Sequence, residues 1–424
     1  MPTLTASHLE PRIRRARLTA ATLGALTLAV LLVLPAADAR AQVSAYPRIT
    51  GGAWDRAPNL VDAQGRAQPR QEHAAVELNG FVYLIGGFVP IQPPPQPTPN
   101  EPEPFPFVGT GDVLAYTPLG HPAAPSAQHG AWSTLPAASA FPMPHMHHIA
   151  AVTHRQRIWA FGGHEGPFVP TRSVFVFTPA SASAPAGTWN RVRVSDGRPC
   201  GPGDRCLTLP SKRAAGAAVS IGSRIYVMGG VVPFPGSPDP VNESIHTTRS
   251  VLVLDTTRFP LRWRRAPALR QPREHFNATV RAGRIWVFHG RNEVSTHMRG
   301  VESWRPGERR WRREQPGPVG TSANILAAVG PCVYSFGGEF IASNVSGTLR
   351  VSQVFDVRSR SWSRLRTQIA TEPMDATGAD NKHGTYGIAY RENGRTRIMA
   401  PGGAATAWFD PMSKVHRFTP PRQC

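Results

Sequence analysis

The chain has 424 residues, 41% hydrophobic and 17% charged, a balance that supports a large buried core and excludes disordered and fibrous classes. Four Cys are too few for a disulfide-dense scaffold or a zinc-ribbon array, and 44 Pro with 39 Gly mark a turn-rich chain of many short strands. The formal net charge of +20 points to an anionic partner, although all but Lys212, Lys382 and Lys414 of the 47 basic residues are Arg, a bias that GC-rich coding also produces.

The first element is a leader. Arg12, Arg14, Arg15 and Arg17 precede the apolar run Leu18 to Leu34, and Pro35 to Gln42 supplies the small residues that suit signal peptidase. Residues 1–41 are therefore expected to be a signal peptide, which sends the remainder to the periplasm or the medium, where disulfides are permitted. No Cys follows the run to carry a lipid, and no later stretch reaches 18 consecutive apolar residues. Nucleic acid is not an expected partner, because the basic residues are scattered singly.

Beyond the leader the chain repeats. An apolar, aromatic-rich strand ending in Gly recurs as Val82 to Gly87, Ile158 to Gly163, Ile225 to Gly230, Ile285 to Gly290, Val333 to Gly338 and Ile398 to Gly403. A small-residue strand precedes each, as in Ala74-Ala-Val76 and Ala217-Ala-Val219, with a tight turn between them. A third strand follows, such as Val174 to Thr178, and then a Trp: Trp132, Trp189, Trp263, Trp311 and Trp362 serve units one to five. The sixth unit has none after Val415 to Pro420, but Trp54 stands ahead of unit one in a context that resembles Trp263. A strand carrying Trp54 that completes the last unit would remove the open edges of the repeat array.

Small strand, aromatic strand ending Gly-Gly, third strand and Trp together resemble the kelch motif over about residues 44–420. The resemblance implies an all-β fold, a six-bladed β-propeller occupying residues 42–424. Its four-stranded blades fall at about 70–135, 146–192, 212–266, 273–314, 322–366 and 382–420 plus 50–60. It identifies a fold and says little about function.

Antiparallel geometry brings the residues before the first strand, and those after the Gly pair, to one mouth of such a ring. The candidate binding residues there are Arg70, His73, His148, His164, Glu165, Arg213, Arg273, His275, Arg291, Glu293, Asn324, Glu339 and His383. His73, His148, His275 and His383 are weak candidates for a copper or zinc ion, and otherwise no cofactor is expected. Copper oxidases similar to galactose oxidase share the fold but need a Cys cross-linked to Tyr, and no Cys here is placed for that. Periplasmic kelch proteins resembling sialic acid epimerases act on sugars through Arg and acidic residues. By that analogy Arg70, Arg213, Arg273 and Arg291 would clamp a carboxylate while Glu165, Glu293 or Glu339 moves a proton. The leading expectation is a monomeric binding module for an anionic carbohydrate or an acidic protein surface, and the alternative is a carbohydrate-active enzyme. Cys200 with Cys206, and Cys332 with Cys424, are the expected disulfides.

Overall fold

The computed structural model describes residues 46–424 except 94, 96–104, 125–126, 167, 235–244, 294–296, 343–344, 366–381 and 407–409. The leader expected over residues 1–41 lies outside the described residues, as does most of the Pro-rich segment after Pro90. Among the described residues the chain is all-β, with one 3₁₀ turn at Ala137–Ser139 and no helix long and apolar enough to cross a membrane.

The repeats become antiparallel four-stranded sheets, taken here in chain order. Sheet one is Ala74–Leu78, Phe81–Ile85, Val113–Thr117 and Ala131–Thr134. Sheet two is Ala150–His154, Arg157–Phe161, Val174–Ser181 and Ala184–Asn190. Sheet three is Ala217–Ile221, Arg224–Met228, Val251–Asp255 and Trp263–Ala266. Sheet four is Asn277–Arg281, Arg284–Phe288, Val301–Trp304 and Arg312–Arg313. Sheet five is Ile325–Val329, Cys332–Phe336, Ser352–Asp356 and Ser361–Leu365. Its edge also takes Arg48–Ile49 as a parallel fifth strand, which nothing in the sequence pattern signals.

The sixth sheet is Ile388–Glu392, Arg395–Pro401, Val415–Thr419 and then Ala53–Ala57, drawn from the other end of the chain. Trp54 sits opposite Phe418 in that pairing. The first strands of successive sheets touch in order from one to six, and the first strand of sheet six touches that of sheet one.

Burial explains the composition of each strand. The second strands read as continuous apolar runs because both faces are covered; Phe81 to Ile85 are all 0% exposed. Each such side chain contributes about 1.5–3 kcal/mol by leaving water. The core is divided into clusters between neighbouring sheets: one packs Tyr83 and Ile85 against Phe177 and Trp189, another packs Trp54 against Tyr334, Phe336 and Phe418. Disulfides join Cys200 to Cys206 and Cys332 to Cys424, and no described Cys is free.

Candidate functional site

Where the second strand ends, the Gly pair takes positive φ, as at Gly86 (65°) and Gly87 (105°), a conformation that costs Gly little. The chain turns there, and the residue after the pair bridges back to a residue three to five positions ahead of the first strand of its own sheet. The six pairs are Gln71 with Phe88, His147 with His164, Ala214 with Val231, Glu274 with Arg291, Ser322 with Glu339 and His383 with Ala404. Thus His164 lies beside His147, and Arg291 beside Glu274, by strand register alone.

The next residue along is the one that reaches the centre. Glu72, His148, Ala215, His275, Ala323 and Gly384 all have φ between 48° and 63°. Their backbones form a closed cycle: Glu72 N–H donates to Gly384 O (2.7 Å), Gly384 to Ala323 (2.9 Å), Ala323 to His275 (2.8 Å), His275 to Ala215 (3.1 Å), Ala215 to His148 (3.1 Å) and His148 to Glu72 (2.9 Å). Three members carry ionisable side chains and three carry a methyl group or nothing. A Cβ at Gly384 would stand 2.7 Å from Glu72 Oε1, so a larger residue there would displace the Glu72 carboxylate.

On this cycle the side chains of Glu72, His148 and His275 meet. His148 Nε2 is 2.9 Å from His275 Nε2 and 3.3 Å from Glu72 Oε2, which is 3.6 Å from His275 Nε2. His275 Nδ1 contacts the Glu274 carboxylate, and Arg291 bridges Glu274 to Glu339. Glu339 Oε2 in turn lies 3.4 Å from His383 Nδ1. His148 Nδ1 contacts His147 Nδ1, and His164 completes that side with ring centroids 5.2 and 5.3 Å from those two. Phe88 stacks on His147 at 3.8 Å, and Phe168 meets His147 and His164 edge-on. Two triads bring ligating atoms within 4.8 Å of one another: His147, His148, His164 and Glu72, His148, His275.

Burial dominates the electrostatics here. It pushes the Glu72 carboxyl up to about 8, helped by Glu339 and opposed by Arg291. It holds His148, His164 and His275 well below the ordinary imidazole value, with neighbouring imidazoles adding to the effect and Arg291 acting on His148 and His275.

The remaining candidates lie elsewhere. His73 is one residue past the cycle, so its side chain turns to the far side, where it meets Thr385 Oγ1 at 3.4 Å. Burial, then Arg70 and Lys382, drive its pKa down to about 3. Arg70, Arg213 and Arg273 precede the cycle by two residues, and their guanidiniums are buried against backbone carbonyls at the Gly pair. Arg70 donates to Gly86 O (3.1 Å) and Asp112 O (3.0 Å), Arg273 to His289 O (2.7 Å), and Arg213 to Gly229 O. Lys382 and Thr321 fill the same position, donating to Ala400 O (3.2 Å) and Gly337 O (3.1 Å). Of the four arginines expected to clamp a carboxylate, Arg291 stands in the cluster. Asn324 is buried and donates to Ser335 Oγ (3.1 Å), Glu293 accepts from Thr247 Oγ1 (2.6 Å), and Glu165 is exposed. His147 was expected at the mouth, next to His148 and close to the metal candidates with His145 and His164, whereas Glu72 and Glu274 were not among the expected residues; their place beside the first strand, next to His73 and His275, was the available signal.

A second concave region lies on the opposite loops, between sheets three and four. Arg224, Arg258, Arg262, Arg264 and Arg265 line a cleft of about 660 Å³ together with Tyr226, Trp304, Phe259 and a single carboxylate, Asp255. Phe259 is 51% exposed. An adjoining cleft adds Arg155, Arg157 and Arg198.

No family model matches the chain. It is 21% identical to Kelch-like protein terF of Aspergillus terreus over 386 residues, which is 87% of this chain and 68% of that protein. It is 25% identical to alpha-scruin of Limulus polyphemus over 167 residues, 38% of this chain and 17% of that protein, so the chain matches less than a fifth of alpha-scruin. This similarity, weak but carried across most of the chain in the first case, supports a relationship to kelch-repeat proteins.

Proposed function

We propose that the chain is an exported, six-bladed kelch-type β-propeller, closed by its N-terminal strand, that serves as a binding module for a protein partner bearing an acidic segment. The cycle of six backbone hydrogen bonds, the ordered contacts of the first strands and the pairing of Ala53–Ala57 with Val415–Thr419 support six blades and closure. The leader-like residues 1–41 and two disulfides support export to an oxidising compartment. Similarity to kelch-repeat proteins favours a protein partner over a glycan.

The observation that carries the binding reading is the arginine-lined cleft between sheets three and four. Five guanidiniums against one carboxylate give it a strongly positive field, which steers an acidic segment into place, and half-exposed Phe259 offers an apolar anchor beside them. Guanidinium forks match carboxylates bidentately, which suits Asp and Glu side chains.

Fluorescence anisotropy with a labelled Glu-rich peptide containing one aromatic residue tests this. Binding that weakens with added salt, and falls at least tenfold in Arg262→Glu/Arg265→Glu, is the expected result. Equal or tighter binding of a heparin fragment would transfer the reading to anionic glycans, and failure to bind either probe would overturn it.

A further inference from the structure

We propose that His147, His148 and His164 form a binding site for one first-row transition-metal dication at the centre of the mouth. Three buried imidazoles converge there, and the nitrogens of one of them have no hydrogen-bond partner among the described residues.

A neutral imidazole carries one N–H. His147 Nε2 lies 2.9 Å from the carbonyl of Gly166, which only accepts, so the proton of His147 is on Nε2 and Nδ1 is a lone pair. The Nδ1 of His275 faces both the Glu274 carboxylate and the Arg291 guanidinium, the latter at 3.4 Å. His148 Nε2 faces His275 Nε2 at 2.9 Å and Glu72 Oε2 at 3.3 Å, and its Nδ1 contacts the Nδ1 lone pair of His147. A cation there would be held by both nitrogens in place of that contact.

His164 supplies the third ligand. It is 4% exposed, packs against both rings, and neither of its nitrogens has a hydrogen-bond partner among the described residues. A buried imidazole without a partner has given up its water without a replacement, and a metal ion removes that cost. Ligand atoms of all three lie within 4.8 Å of one another.

The surroundings are those of a ligating set. A metal-bound His donates its outer N–H to a carbonyl or carboxylate, and His147 does so to Gly166 while Glu72 lies 3.3 Å from the outer nitrogen of His148. Phe88 and Phe168 wall the three rings with apolar surface, which limits water. Three imidazoles select zinc, copper, nickel or iron over magnesium and calcium, and leave a coordination position open for a ligand arriving at the mouth. The site is distinct from the arginine cleft, so the two readings stand or fall separately.

Purified protein, stripped with chelator and re-equilibrated with Zn²⁺, Cu²⁺ or Co²⁺ in turn, should hold about one ion per chain by elemental analysis. The Co²⁺ form should show visible ligand-field absorption of a nitrogen-rich site. His164→Phe should lose at least nine-tenths of the bound ion, while His289→Gln, a buried His outside the cluster, should keep it. Circular dichroism confirms that each variant is folded, and if His164→Phe is not, His147→Gln replaces it. Wild-type protein that retains none of the three ions, or folded variants that retain them fully, would overturn the proposal.

Discussion

Arg70, Arg213, Arg273 and Lys382 occupy one position of the repeat, and all four are buried and donate to backbone carbonyls at or near the end of the second strand. Their cost is not equal. Arg273 also donates to Glu302 Oε1 at 2.7 Å, and Glu302 is 3% exposed, whereas among the described residues Arg213 donates to Gly229 O and Ser250 Oγ. Removing Arg273 therefore takes the cation from a buried carboxylate, which keeps the N–H groups of Arg270 and Gln271, and removing Arg213 strands neutral groups. Arg273→Met should cost about 3–5 kcal/mol and Arg213→Met about 1–3 kcal/mol in urea denaturation, and a reversed order would refute this division of roles. Sequence spacing revealed that cations recur before the first strand, but not which way they point. Each first strand is preceded by a residue at positive φ, which breaks the alternation of sides that spacing assumes. Glu72 enters the cluster, and His73, its neighbour, meets Thr385 on the other side.

At the scale of the element, the Trp of the fourth strand fastens its sheet to the connection arriving from the sheet before. The indole N–H of Trp189 donates to Ser139 O (3.1 Å), that of Trp263 to Thr208 O (2.9 Å), that of Trp311 to Pro267 O (2.8 Å) and that of Trp362 to Gln315 O (3.0 Å). Trp132 packs on Tyr116 but its buried Nε1 has no partner among the described residues. Trp311→Phe thus loses apolar area and leaves the Pro267 carbonyl unpaired, whereas Trp132→Phe loses area and removes an unsatisfied donor. The first should destabilise by about 1–3 kcal/mol more than the second, read from denaturant midpoints at a common slope. The Trp series was legible because an aromatic at fixed spacing reports a buried face. Its hydrogen bonds were not, because the acceptors are backbone carbonyls of connections that share no sequence pattern.

At the scale of the molecule, two devices hold the ends together. Ala53–Ala57 pairs with Val415–Thr419, burying Trp54 against Phe336 and Phe418 across sheets five and six. The Cys332–Cys424 disulfide then pins the last residue to the second strand of sheet five. The two bridges differ in what they constrain. Cys200 and Cys206 are 6 residues apart and close a local turn, while Cys332 and Cys424 are 92 apart and enclose all of sheet six except its N-terminal strand. In the chain-entropy description the shorter loop restricts the unfolded state by about 2.4 kcal/mol and the longer by about 4.6 kcal/mol. Cys332→Ser/Cys424→Ser should therefore lower the denaturation midpoint more than Cys200→Ser/Cys206→Ser. Beyond that difference in degree, it should expose the Trp54 seam first. Trp54 fluorescence, followed in a variant whose other seam-distant Trp residues are replaced by Phe, should shift to the red before the far-ultraviolet signal of the sheets is lost. Coincident transitions would mean that strand pairing and the Trp54, Phe336 and Phe418 packing hold the seam without the bridge, and that the sheets unfold as one cooperative unit.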